Sequence, residues 1–237
     1  MFFWNRRDLL RRPLRRSGPA MLLVALFFGS GVSWCADDQG MVKFRWAFGA
    51  LKQSGSDLKL ETVGSRSVLK TGDQLKMMVN LESDCFVYVV HHSSQDTVKL
   101  MFPYSLKQIS DNYQIHRKYF IPEGDRWFQL DQQVGPETFY LLASTRRLEN
   151  LERLFLQYES AEPSRRGQIN GQVLDEIGSL KKQHRELVAE AERPETIGGV
   201  VRGFEKAQGM NPPDVSFIAR EISGPGFVVR TFTIDHQ

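Results

Sequence analysis

Two adjacent histidines, His91 and His92, are by residue type the strongest candidates for metal binding or proton transfer in this sequence. They directly follow Cys85–Val90, an apolar run typical of a buried strand. Adjacent residues of a strand point to opposite faces, so the two imidazoles are poorly arranged to chelate one metal ion. His116 or His236 could join one of them, but no spacing in the sequence indicates such a site. We therefore interpret both as solvated loop histidines.

Cys85 and the acids Glu123 and Asp125 are further candidates for chemistry. A catalytic thiol needs an electropositive and partly exposed position. Because Cys85 lies in the apolar run, we predict a buried core cysteine instead. Glu123 and Asp125 flank Gly124 in a predicted turn, where two solvated acids are a simpler interpretation than a general acid and base.

Motifs that position a nucleophile, a zinc ion or a phosphate group are absent from residues 37–237. Gly198, Gly199 and Gly203 are better explained by a bend or bulge in a strand than by a phosphate cradle. The sequence therefore predicts no catalytic residue, no metal ligand and no cofactor. We predict that the chain is not an enzyme.

The first 36 residues have the composition of an export signal. They carry six arginines and one acid, followed by the apolar run Ala20–Phe28. This run is much shorter than the roughly 20 residues of a membrane-spanning helix. We predict that residues 1–36 form a cleaved signal peptide, with an uncleaved inner-membrane anchor as the alternative. The net charge of +3 minus the +5 of this segment leaves about −2, which argues against a nucleic-acid partner.

Two details of the leader bear on the compartment. Residues 5–11 resemble a twin-arginine export signal through Arg6 and Arg7, although a generic basic segment explains them equally well. Cys35 could accept a lipid, but Trp34 stands where that signal requires a small residue. If cleavage removes Cys35, Cys85 is left as the one cysteine, so no internal disulfide forms. We predict a periplasmic or secreted protein.

The mature part alternates apolar and polar residues as antiparallel strands do. Alternation marks 43–48 and then 75–81, where Lys76 and Met78 are expected on a mostly solvated face. Further strands are predicted at 85–90, 98–102, 118–121 and 138–143. Several short strands separated by turn signals predict a mainly β protein, an antiparallel immunoglobulin-like β-sandwich with its core in residues 67–145.

After Arg146, the spacing of the apolar residues changes from every second residue to the spacing of a helix. Apolar residues at helical spacing predict a helical pair within residues 146–193, interrupted at Pro163 and ended by Pro194. Strands are expected again within 196–236, at Val215–Ile222 and Phe227–Ile234, returning to the same sheet. Residues 37–237 are therefore predicted to form a single domain with the helical pair inserted or appended.

Several short motifs in residues 67–150 together resemble a bacterial family known as domain of unknown function 4384. They are Thr71-Gly-Asp-Gln-Leu75, Asp84–Tyr88, Leu100–Pro103, Ile121-Pro122, Gly135–Phe139 and Leu141–Ser144. Met101 departs from the family pattern, which reads Leu-Phe-Pro. The resemblance implies a β-sandwich found on secreted or envelope proteins, sometimes attached to kinase or caspase-like modules, with no established activity or catalytic residue.

The motif residues themselves have structural interpretations. Gly72-Asp73 suits a turn in which Asp73 bonds backbone N–H groups two residues on. Pro103 and Pro122 are expected to end strands, because proline donates no backbone hydrogen bond. Glu137 could cap a turn or make a buried polar contact, with a ligand role as the alternative.

Two functions from different classes remain open. The first is an exported, non-catalytic envelope module that binds or assembles with another protein, unidentified by the sequence, through a sheet edge or the helical pair. The second is an exported enzyme or cofactor-carrying protein, suggested by the twin-arginine resemblance, since that route often carries folded cofactor proteins. Export and the lack of a catalytic constellation favour the first.

Overall fold

A computed structural model of the chain describes residues 40–54, 57–184 and 213–237. The predicted signal peptide with Cys35, the glycines at 198, 199 and 203, and the predicted helix end at Pro194 lie outside these residues. None of the helices in the described ranges is long and apolar enough to cross a membrane.

The described residues form two β-sheets, as the mainly β prediction required. The first sheet has the order β10–β1–β4–β7, with β2 also pairing with β1 and β8 with β4. Its strands are β1 (Met41–Ser54), β2 (Asp57–Thr62), β4 (Gln74–Leu81), β7 (Lys118–Ile121), β8 (Phe128–Gln129) and β10 (Arg220–Pro225). The second sheet has the order β3–β11–β9–β5–β6. Its strands are β3 (Arg66–Leu69), β5 (Phe86–His92), β6 (Val98–Phe102), β9 (Gly135–Ser144) and β11 (Phe227–His236).

The main core lies where the two sheets face each other. In β1, every second residue from Val42 to Ala50 is buried in this core, as expected for a strand whose side chains alternate between faces. Strands β4, β5, β9 and β11 add their own alternate residues. Aromatic rings fill the centre, where Phe48 lies 5.0 Å from Phe139 and 5.5 Å from Phe232 between ring centroids.

A second core lies between the second sheet and the helices. The helices are α1 (Gln108–Asp111), α2 (Glu149–Ser160) and α3 (Pro163–Gln183). Leu151 and Phe155 of α2 and Val173 and Ile177 of α3 pack against a cluster that includes Tyr88 of β5. The predicted helical pair is therefore confirmed up to Gln183, and the apolar run after Cys85 is covered on both faces as predicted.

One strand prediction near the C-terminus is wrong in its first part, since Arg220–Ile222 lies in β10 but the residues before it do not. Val215–Ile218 forms a 3₁₀ helix whose cap, Asp214, accepts a hydrogen bond from the backbone N–H of Ser216 at 2.8 Å. Val215 of this turn is buried and packs with Ala47 and Met78 on the outer face of the first sheet. The face of β4 that was expected to be mostly solvated is covered for this reason, and Lys76 is buried there too.

The C-terminal strands return to the sheets, but not to one sheet. Strand β10 pairs with β1 in the first sheet, whereas β11 lies between β3 and β9 in the second. Gly226, at φ 65°, makes the crossing, and its N–H donates to the carbonyl oxygen of Gly40 at 2.9 Å. The pairing of β11 with β3 is parallel, which departs from the predicted antiparallel arrangement.

The motif residues end strands and turns largely as predicted. Pro103 and Pro122 directly follow the last residues of β6 and β7. Gly72 has φ 94° in the turn before β4. Asp73, however, accepts its hydrogen bond from the N–H of Lys70, three residues earlier, at 2.9 Å rather than from a later residue.

Candidate functional site

His91 and Glu137 form a partly buried pair at the end of β5. The Nε2 atom of His91 lies 2.5 Å from the Glu137 carboxylate, and the imidazole stacks on Phe139 at 4.6 Å between ring centroids. The other carboxylate oxygen of Glu137 accepts a hydrogen bond from the backbone N–H of Ser94 at 3.2 Å. Glu137 thus ties β9 to the turn between β5 and β6. The loop prediction is wrong for both His91 and His92, which lie in β5, and the buried polar contact considered for Glu137 is confirmed.

The environment of His91 favours its neutral form. Burial lowers the pKa of His91, and the neighbouring Glu137 carboxylate opposes this effect without cancelling it. His92 and Lys99 lower the pKa of His91 further through their charges. A neutral imidazole donates its Nε2–H to the carboxylate, so the pair is a structural hydrogen bond at neutral pH.

Acidification should therefore destabilise the protein through His91. Because the pKa of His91 is lower in the folded than in the unfolded protein, acid protonates the unfolded state more readily. The folded protein therefore loses stability as the pH falls below the unfolded pKa of about 6.5. We expect the free energy of unfolding to fall between pH 7 and pH 5, by at most about 1.4 kcal/mol per pH unit for this group. In urea titrations, His91→Gln should show a shallower dependence on pH. An unchanged slope would contradict the assignment. The control is His116→Gln, because His116 is exposed and is not part of the pair.

None of the other three histidines considered in the sequence analysis bonds to this pair. His92 points to the opposite face, where its Nε2 atom lies 2.8 Å from the Asp96 carboxylate. His116 is exposed with φ 65°. His236 is buried and lies 3.2 Å from the Thr71 hydroxyl. Within the described ranges, no group of three or more His, Cys, Asp or Glu residues could hold a metal ion.

Cys85 is a core residue, as predicted. Its side chain is buried, and the Sγ atom lies 3.8 Å from the carbonyl oxygen of Lys43. Burial raises the pKa of the Cys85 thiol. Since the thiolate is the reactive form, this environment makes the thiol unreactive.

Lys76 is a buried cation that the sequence did not indicate. Its Nζ atom donates to the carbonyl oxygens of Gly124 at 2.6 Å and Arg126 at 3.0 Å. The same atom lies 5.3 Å from the ring centroid of Phe120 and 5.7 Å from that of Trp127. Burial lowers the pKa of Lys76. The side chain holds the turn between β7 and β8, in which Glu123 and Asp125 are exposed, as predicted.

Replacing Lys76 by methionine should loosen this turn. Two carbonyl oxygens lose a charged donor, so we expect the free energy of unfolding to drop by about 1–3 kcal/mol. Because Trp127 packs beside the ammonium group, its fluorescence should also change in the folded protein. Lys99→Met, at an exposed position, should leave both the stability and the emission spectrum unchanged. Identical behaviour of the two variants would show that Lys76 does not hold the turn.

A second unpredicted network attaches α2 to the second sheet. The hydroxyl of Tyr88 donates to the Glu152 carboxylate at 2.5 Å and accepts from the backbone N–H of Leu148 at 3.2 Å. Arg147 binds the same carboxylate through Nε and Nη2. Glu152 and Tyr88 are both buried. These groups position α2 against the second sheet.

A surface cleft lies beside α1, between the ends of β6 and β7. Its volume is about 220 Å³. The residues that line it are Tyr104, Ser105, Lys107, Gln108, Asp111, Asn112, Arg117, Tyr119 and Glu123. Tyr104 and Glu123 directly follow the two strand-ending prolines, Pro103 and Pro122. The sequence analysis interpreted the two X-Pro motifs only as strand ends and did not predict this cleft, because their meeting at one place depends on the fold.

A comparison with family models matched part of the chain. Comparisons with curated proteins and with solved structures found no match. A family model matches residues 68–147, which begin in β3 and end just before α2. This match confirms the resemblance predicted from the motifs in residues 67–150. Over that part of the chain, the protein resembles the family described as "Domain of unknown function (DUF4384)".

Proposed function

We propose that this protein is an exported, non-catalytic module of the cell envelope that binds or assembles with another envelope protein. The supporting observation is the internal engagement of its chemically versatile side chains. Glu137, Lys76 and Glu152 each bond to neighbouring parts of the fold, and Cys85 is buried beside a carbonyl group. Side chains committed in this way support a scaffold better than they support a reaction.

Export rests on the leader. Arginines and then a short apolar run occupy residues 1–36, and we propose that they are removed on the way to the periplasm or the exterior. Mass spectrometry of the C-terminally tagged chain, recovered from a periplasmic fraction, tests this. A mass that includes residues 1–36 would support the uncleaved anchor instead. Arg6→Lys combined with Arg7→Lys should block export only if the twin-arginine route is used.

We also propose an immunoglobulin-like β-sandwich for the β-rich part. The two sheets with a common core support this architecture. The parallel pair of β3 and β11 makes it a variant of that arrangement. The helical pair adds a layer on the second sheet, and outward-facing residues such as Leu156 and Lys182 are exposed.

Capture of the partner can be combined with surface variants. Leu156 on α2 and Val68 on β3 are large apolar side chains that are 53% and 52% exposed, at the helical pair and at a sheet edge. The tagged chain should retain one specific envelope protein, and either Leu156→Glu or Val68→Glu should abolish its retention. Val134→Glu is the matched control, since this loop residue is 59% exposed. The proposal fails if folded protein retains no specific partner, or if all three variants retain it equally.

A further inference from the structure

The connection between β6 and β7 is unusually elaborate for the size of the protein. It runs through residues 103–117 from the second sheet to the first and contains only the single-turn helix α1. Connections of this length within a compact domain are uncommon and often carry function. This connection lies inside the segment that matches the family model.

Partly buried Tyr113 and buried Tyr119 anchor the connection to the rest of the fold. The Tyr113 hydroxyl accepts a hydrogen bond from the N–H of Val87 at 2.6 Å. The Tyr119 hydroxyl donates to the carbonyl oxygen of Asn112 at 3.0 Å and accepts from the N–H of Gln114 at 2.6 Å. A loop anchored in this way is already ordered, so it loses little conformational entropy when a ligand binds to it.

The cleft on the outer side of this connection carries charges of both signs. Lys107 and Arg117 are cationic, Asp111 and Glu123 are anionic, and all four are exposed. Within the described residues, none of the four forms an ion pair. Arg117 donates to Asn112 at 2.5 Å and lies over the Tyr119 ring, which fixes the guanidinium beside the cleft with donors to spare.

From these observations we infer that the cleft binds a small zwitterion, a molecule of amino-acid or dipeptide size that carries one ammonium and one carboxylate group. The carboxylate would meet Lys107 and Arg117, and the ammonium would meet Asp111 and Glu123. A volume of about 220 Å³ is below the 300–1,000 Å³ typical of sites for drug-sized ligands, which sets the size class. This inference goes beyond the proposed protein partner and does not depend on it.

Titration with glycylglycine at pH 7 and low salt tests the inference. The full-length chain, labelled with ¹⁵N, should show saturable shift changes confined to residues 104–123. N-acetyl-glycylglycine lacks the ammonium and glycylglycinamide lacks the carboxylate, so each should bind at least roughly tenfold more weakly, because one charge-assisted contact is lost. Raising the salt concentration should also weaken the binding of glycylglycine, because salt screens the charges of the cleft.

Variants provide the second arm of the test. Lys107→Gln and Glu123→Gln should each weaken glycylglycine binding roughly tenfold, whereas Lys182→Gln on α3, also exposed, should leave it unchanged. Absence of saturable shifts in the cleft would overturn the inference. Equal binding of the blocked dipeptides would do the same, since it would show that the charges are not recognised. Partner capture is measured separately, so either proposal can fail alone.

Discussion

Phe48→Ala should lower the free energy of unfolding by about 3–5 kcal/mol, the usual cost of removing a fully buried aromatic ring. Phe48 is 1% exposed and lies at the centre of the core between the sheets. Its ring makes edge contacts with Trp46 and Phe232, and with Phe139 across the core. Alanine would leave a cavity bordered by aromatic rings of both sheets. The hydrogen-bonded strands on either side limit how far the core can collapse into this cavity.

The matched control is the same substitution at Phe217, which is 80% exposed on the 3₁₀ turn. Phe217→Ala should change the free energy of unfolding by no more than about 0.5 kcal/mol. Urea unfolding of both variants at one pH, followed by circular dichroism, gives the comparison. Similar losses for the two variants would mean that the rings do not differ in burial as described.

Local patterns in the sequence were enough to find most elements. Alternation located β4 and part of β1, helical spacing located α2 and α3, and the two prolines marked the ends of β6 and β7. These signals depend on residues close together in the chain, where the period of burial follows directly from backbone geometry.

The errors concern features that only distant contacts create. Lys76 was expected on a solvated face, but its ammonium group is buried against the turn between β7 and β8, where its acceptor Gly124 lies 48 residues later. His91 was expected in a loop, whereas its partner Glu137 lies 46 residues away. The parallel pairing of β3 with β11 likewise joins residues near opposite ends of the described chain.

The candidate site also depends on contacts between residues that are distant in the sequence. The histidines and Cys85 attracted attention as residue types, and the fold uses Cys85, His91 and His236 as buried or partly buried structural groups. The cleft draws Lys107, Asp111 and Arg117 from one connection and Glu123 from the turn after β7. No residue pattern joins these four charges, because the two strands that bring them together belong to different sheets.

Glu152→Ala should have the second-largest effect, a loss of about 2–4 kcal/mol. The substitution leaves the buried Tyr88 hydroxyl without its acceptor, and burial already raises the pKa of Tyr88, so the phenol cannot ionise to compensate. Arg147 loses the same carboxylate, but its side chain is 39% exposed and can be solvated, which keeps the cost below that of a fully buried pair.

Two variants separate the role of this network from a general effect of substitutions in α2. Glu152→Gln keeps an acceptor for Tyr88 but removes the charge. Its free energy of unfolding should therefore lie between those of the unaltered protein and Glu152→Ala. Glu159→Ala, exposed on the same helix, should change the free energy of unfolding by no more than about 0.5 kcal/mol. Hydrogen exchange adds a local measurement, because amides of α2 should exchange faster in Glu152→Ala while those of β1 change only with global stability. If α2 stays as protected as in the unaltered protein, helix attachment rests on the apolar contacts of Leu151 and Phe155 alone.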